Sequence, residues 1–243
     1  ERADVVLLAI PVGQLPGWLS DWGDRLVSGS VVVDVGSTKR EVAAAMERLP
    51  AGVEAVAAHP MAGSEESGID AARPDLFHGA PWALVETART GSKARRLARS
   101  LVDAVGGVPV WMDPEAHDEA AAATSHLPYA LSAALARHVA GRRRELVGPE
   151  MGALVGPGLR DMTRLASSDP RLMAEILSTN WPEVRGELKR FEDTLSGFVD
   201  RLDDAVAGQR SDGGPASGTL PVLLEEARSA RETIVNASPR GEQ

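Results

Sequence analysis

The sequence predicts an α/β chain: a mainly parallel sheet over residues 1–113, then an all-helical segment over residues 114–207. Three observations carry that prediction. Residues 4–111 alternate short apolar runs with helical segments. Those runs are apolar at every position, as in strands covered on both faces, rather than at every second one. After Asp113 the strand signal stops, and Ala, Leu, Glu and Arg dominate. Strand–helix alternation of the first kind builds a sheet with helices on its faces.

Taken in order, residues 4–10, 31–35, 53–58, 82–85 and 108–111 read as strands. Helices fall near 14–27, 38–49 and 91–105. The second half reads as helices near 114–140, 143–155, 158–166, 170–178 and 181–207. Asn180 is a suitable N-cap for the last of these, and Glu183 three residues on resembles a capping box. Val184, Leu188, Phe191, Leu195, Phe198, Leu202 and Ala205 then alternate spacings of four and three, a narrow seam that packs along another helix. Residues 208–218, rich in Gly and Ser, read as a flexible linker. In residues 219–243 Leu220, Leu223, Leu224, Ala227, Ala230 and Ile234 line one side of a final amphipathic helix, with a frayed tail beyond it.

Composition narrows the function. The 243 residues can bury a substantial core. The chain has no cysteine, hence no disulfide framework, thiolate metal site or cysteine nucleophile. Its five histidines show no HxxxH or HExxH spacing, so no metal site is expected. A net charge of -9 argues against a nucleic-acid partner. No apolar stretch approaches the roughly 20 residues of a membrane span, and no signal peptide is visible. A cytoplasmic, membrane-free protein is the expectation.

Three strand ends carry polar or turn residues: Pro11 and Val12 after the first, Gly36, Ser37, Thr38 and Lys39 after the second, His59 and Pro60 after the third. Parallel strands bring such ends to one edge of the sheet, where ligands of open α/β sheets bind. His59 opens HPMAGSEESG and is the principal candidate. A neutral imidazole there can accept a proton, and a Ser37 hydroxyl on one ring nitrogen would aim the other at substrate. No GxSxG elbow supports acyl transfer. The GSTK stretch opens a helix whose N-terminus favours an anion or dipole. In GLRDMTRLASSDP, Arg160 and Arg164 share a helix face and can hold a carboxylate; the same spacing fits a surface network around Asp161. His126 and Tyr129 lie one turn apart in SHLPY, where Pro128 should kink the helix. His117, nine residues before His126, falls on the opposite face of a straight helix.

These segments together resemble the prephenate dehydrogenase family over roughly residues 3–207. AIPV at 9–12, DVGSTK at 34–39, HPMAGSEESG at 59–68, SHLPY at 125–129 and GLRDMTRLASSDP at 158–170 carry the likeness. The resemblance implies a partial Rossmann-like nucleotide-binding domain followed by an all-helical dimerisation domain. It places AIPV on the fourth strand of the nucleotide domain, so the glycine-rich turn and roughly 60 or more residues are expected before Glu1.

The implied activity is NAD(P)-dependent oxidative decarboxylation of prephenate to 4-hydroxyphenylpyruvate in tyrosine biosynthesis, with NAD slightly favoured over NADP. The alternatives are arogenate as substrate, giving tyrosine directly, and a non-catalytic dimerisation or regulatory module. By resemblance, His59 is catalytic and Ser37 orients it. Arg164 holds the ring carboxylate, and Arg160, Ser64, Glu65, His117, His126 and Tyr129 line the substrate pocket. Pro11, Val12, Gly36, Ser37 and Lys39 contact the cofactor. A homodimer through the helical domain is expected.

Overall fold

The computed structural model describes residues 3–63, 68–146, 154–212 and 219–236. Its five-stranded sheet runs in chain order. Strands β1 (Val5–Leu8), β2 (Val31–Asp34) and β3 (Glu54–Pro60) are parallel, with Leu8 beside Asp34 and Val33 beside Val56. Strand β4 (Pro81–Val85) runs antiparallel to β3, and β5 (Val108–Met112) runs parallel to β4. The mainly parallel α/β reading holds. One boundary moves: β3 continues through His59 and Pro60, because these residues pair with Ala83 and Trp82 of β4.

Side chains alternate between two cores, as strand geometry requires. Val32, Ala55, Ala57 and Val85 pack under helices α1 (Leu15–Trp22) and α2 (Arg40–Met46), against Leu15, Leu19, Val42 and Met46. Val31, Val33, Val56, Ala58, Trp82 and Leu84 face helix α3 (Ser92–Ala104), against Ala94, Ala98 and Val102. The first strand departs from expectation. Read as covered on both faces, β1 leaves Val5 and Leu7 40% and 55% exposed. Helix α3 packs on β2, β3 and β5 and stops short of β1. Leu7 instead walls an apolar cavity of about 280 Å³ with Val33, Ala58, Trp82 and Leu101.

Helix α4 (Pro114–Ala121), a π-helical turn (Ala122–His126) and helix α5 (Leu127–Leu146) follow without a break. Pro128 explains the turn, since its ring cannot accommodate the Thr124 carbonyl in regular α geometry. The helix expected near 143–155 lies partly inside α5 and partly outside the described residues. Helix α6 (Pro157–Thr163) leads through a 3-10 turn (Arg164–Ser167) to helix α7 (Pro170–Thr179). Asp169 caps α7 by accepting from Arg171 N at 2.8 Å.

Helix α8 spans Trp181–Asp212, running into the stretch expected as a linker; residues 213–218 lie outside the described residues. Helix α9 spans Thr219–Asn236. The capping box expected at Asn180 does not form. Asn180 is 1% exposed and its amide turns inward to the Asp118 carbonyl, while Glu183 pairs with Arg40 at 3.0 Å.

Contacts divide the chain into two compact units, Glu1–Val184 and Arg185–Gln243. The first passes beyond the sheet because the helices are tied to the loop after β2. Thr38 Oγ1 donates to Thr179 Oγ1 at 3.0 Å, and the N–H groups of Lys39 and Arg40 donate to the Asp118 carboxylate at 2.7 and 2.9 Å. In the second unit Ala205 and Leu223 are buried, and Arg201 pairs with Glu226 at 2.7 Å.

Candidate active site

The C-terminal ends of β1, β2 and β3 do share one edge, and α4 with its π turn lies against it. The tie is a buried ion pair. Lys39, 0% exposed, points its ammonium at the Asp34 carboxylate and donates to the Ala58 carbonyl at 2.8 Å. Asp34 in turn accepts from Ala58 N at 3.1 Å and Gly36 N at 2.8 Å. Burial lowers the pKa of Lys39, and the Asp34 charge works against that shift. The pair thus locks the loop after β2 to the last residues of β3, immediately before His59. Gly36 permits the close approach: a Cβ there would lie 2.8 Å from Leu15 Cδ1 and 3.1 Å from Val12 Cγ2.

His59 is half-buried at this edge, and its Nδ1 lies 2.9 Å from His117 Nε2, the two rings meeting edge to face. His117 Nδ1 lies 2.8 Å from Asp118 Oδ1. Burial, then the Lys39 ammonium and the His117 and His126 rings, hold the His59 imidazole well below its ordinary range. His59 is therefore neutral at pH 7 and able to accept. His126, 1% exposed, bonds Asn180 Nδ2 through Nδ1 at 3.2 Å. Burial pushes its pKa down to about 4, against the opposing Asp118 charge. Burial disfavours the Asp118 carboxylate, but hydrogen bonds from His117 and from the Arg40 and Lys39 N–H groups outweigh that and keep its pKa below the usual range.

His117 and His126 thus converge, although nine residues on a straight helix point opposite ways. The π turn absorbs one extra residue, so nine residues turn the helix as about eight do, and the two rings end up within about 80°.

Several expected roles change. Ser37 is half-buried, but no bond joins it to His59 among the described residues; His117 occupies that ring nitrogen. His117 and His126 are buried at 2% and 1% exposure, so they stand behind His59 instead of lining an open pocket. Lys39 is no cofactor ligand through its side chain, which Asp34 and Ala58 consume. Val12 is 3% exposed and belongs to the core, while Pro11 is exposed at the end of β1. The anion expected at the start of α2 is the protein's own Asp118.

Arg160 and Arg164 are exposed, on α6 and on the 3-10 turn. That turn packs on α5, where Ser132 Oγ accepts from Ala166 N at 3.1 Å. Tyr129 is half-buried in the first turn of α5. Ser64 and Glu65 lie outside the described residues.

Sequence reasoning missed Asp118, Asn180 and Asp34. Asp118 directly follows His117, which was a usable signal; Asn180 reaches Asp118 across 62 positions, which no local pattern reveals.

Among the described residues, the Ser37 hydroxyl and the His59 ring are neutral polar groups at this edge. Such groups fit the nicotinamide end of a dinucleotide, with its neutral carboxamide. They do not fit its phosphates, because the nearby cation and helix N-terminus are already paired.

Comparison with known proteins gives matches along both halves of the chain. The family model described as prephenate dehydrogenase, nucleotide-binding domain, matches residues 1–111, and that described as prephenate dehydrogenase, dimerization domain, matches residues 113–213. A cyclohexadienyl dehydrogenase of Zymomonas mobilis is 33% identical over 212 residues, 87% of this chain and 70% of that protein. Among the curated relatives, the share of length spanned by this chain runs from 52% to 70%. A prephenate dehydrogenase from A. aeolicus, solved with hydroxyphenyl propionate and NAD+, superposes with a TM-score of 0.79 at 28% identity, covering 96% of this chain and 77% of that one. An arogenate dehydrogenase from Synechocystis gives a TM-score of 0.76 at 26% identity, covering 96% and 79%.

Proposed function

Because the chain belongs to the prephenate dehydrogenase family, we propose that it carries the strand-edge part of a site that oxidatively decarboxylates prephenate to 4-hydroxyphenylpyruvate. The observation that supports this most is a neutral, half-buried imidazole at the end of β3, held by a histidine and a carboxylate behind it. A bound nicotinamide dinucleotide supplies the hydride acceptor. NAD is the favoured form, in line with the NAD+ held by the A. aeolicus relative.

The protein's own contribution is positioning and one proton site. His59 Nε2 accepts the proton of the ring hydroxyl as hydride leaves the same carbon. Loss of the ring carboxylate as carbon dioxide leaves its electron pair in the ring, which becomes aromatic as a phenolate. The phenolate takes the proton back from His59, so the cycle closes with no net proton. Arg164 holds the ring carboxylate, and Arg160, Tyr129, Ser64 and Glu65 surround the rest of the substrate. Ser37 and the Pro11 backbone face the nicotinamide end. The helical domain joins two copies in a homodimer.

The likeness to an arogenate dehydrogenase favours a second reading, in which the side chain carries an amine and the product is tyrosine. Tyr129 stands at the position expected near that side chain. Incubating the full-length protein with each substrate and each nicotinamide cofactor decides between them. Faster turnover of prephenate with NAD, releasing carbon dioxide and 4-hydroxyphenylpyruvate, is the expected result. Faster turnover of arogenate overturns the substrate assignment, and no turnover of either leaves the non-catalytic dimerisation reading.

A further inference from the structure

We infer that Asp118, acting through His117, is a positioning residue that fixes the tautomer of His59, so that Nδ1 carries the proton and Nε2 presents a lone pair to the reacting hydroxyl. The inference rests on the proposed role of His59 and extends it two residues back into the helical half.

The argument is a chain of donors and acceptors. An ionised carboxylate only accepts. Asp118 Oδ1 therefore takes a hydrogen from His117 Nδ1 across 2.8 Å. In the neutral form we assign to His117, one ring nitrogen donates and the other accepts, so with Nδ1 donating to Asp118 its Nε2 accepts. The only hydrogen that can fill the 2.9 Å gap to His59 is then the one on His59 Nδ1. His59 Nε2, on the far side of the ring, is left bare.

Two features keep the chain pointing this way. Asp118 also accepts from the N–H groups of Lys39 and Arg40 at 2.7 and 2.9 Å, and this holds it in the acceptor-only form. Both His117 and Asp118 are buried, at 2% and 1% exposure, so bulk water cannot offer His117 an alternative partner. The groups facing His59 and His117 come from each packed element: Lys39 from the loop after β2, Asp118 from α4 and His126 from the π turn. When His59 takes the substrate proton, its Nδ1–H still donates to His117, so the relay needs no rearrangement during the reaction.

The test reads the tautomer and the rate separately. Nitrogen-15 shifts of the histidine rings at neutral pH should show His59 protonated on Nδ1 and bare on Nε2, whether or not substrate turns over. His59 protonated on Nε2 instead would overturn the inference. In kinetics, His117→Phe removes the acceptor while keeping an aromatic ring; kcat should fall about 10- to 100-fold with KM changed by less than about threefold. His117→Gln, whose amide oxygen can stand near the lost Nε2, should recover part of that rate at equal thermal stability. Unchanged kcat in His117→Phe, or no recovery in His117→Gln, also overturns it. The proposed function fails separately, through His59→Asn: full activity there removes His59 from the chemistry but leaves the tautomer measurement standing.

Discussion

At the residue scale, the site depends on burying ionisable groups in states that match their partners. His59 and His126 are both held below their ordinary pKa, so the folded protein binds fewer protons than the unfolded chain as pH falls from about 6.5 toward 4. Stability gained by keeping them neutral is complete above the unfolded value and is lost on acidification. For His126 alone, with its pKa at about 4, the loss is about 2 kcal/mol by pH 5. Urea unfolding at pH 7.5 and pH 5 should therefore show a smaller acid-induced loss in His126→Gln than in the parent protein; equal losses would place His126 in a solvated site. The imidazole at position 59 was legible in the sequence because a strand end displays it. Its partners were not legible. The Ser37 hydroxyl looked suited to orient His59 because it follows the neighbouring strand, yet a histidine from another element reaches the ring first. Nothing local to His117 says that it faces inward.

At the element scale, the π turn at Ala122–His126 decides which side of the helix reaches the site. Pro128 announced an irregularity, but sequence periodicity assumes about 100° per residue and cannot show where an extra residue is absorbed. Hence His117 and His126 looked opposed while the fold brings them together. Deleting exposed Ala123 together with Pro128→Ala should convert the π turn to regular helix and keep both the later helix register and the convergence of His117 and His126. The deletion variant should retain its helical circular dichroism and melt within about 4 °C of the parent, the shift that a roughly 1 kcal/mol change gives a domain of this size. A molten or unfolded product would mean that the turn holds no spare residue. The strands were legible because runs such as Val31, Val32 and Val33 are buried on both faces. β1 reads the same in sequence but is exposed on one side, since apolar character does not reveal which neighbours cover a strand.

At the scale of the whole molecule, two halves that read as separate in composition are joined at the site itself. Thr38, Lys39 and Arg40 at the sheet edge meet Asp118, Thr179 and Glu183 of the helices. The sheet edge and the helices up to Glu183 are therefore joined by side-chain hydrogen bonds next to His59. The family was legible because five short motifs occur in order along residues 9–170. The long-range contacts were not legible, because a hydrogen bond between residues 39 and 118 leaves no periodic trace. The most direct test of the account is single-turnover hydride transfer by His59→Asn in the full-length protein with prephenate and NAD. A rate lower by about 10² to 10⁴, with prephenate affinity changed only a few fold, is the predicted result. A rate within about threefold of the parent would contradict the account.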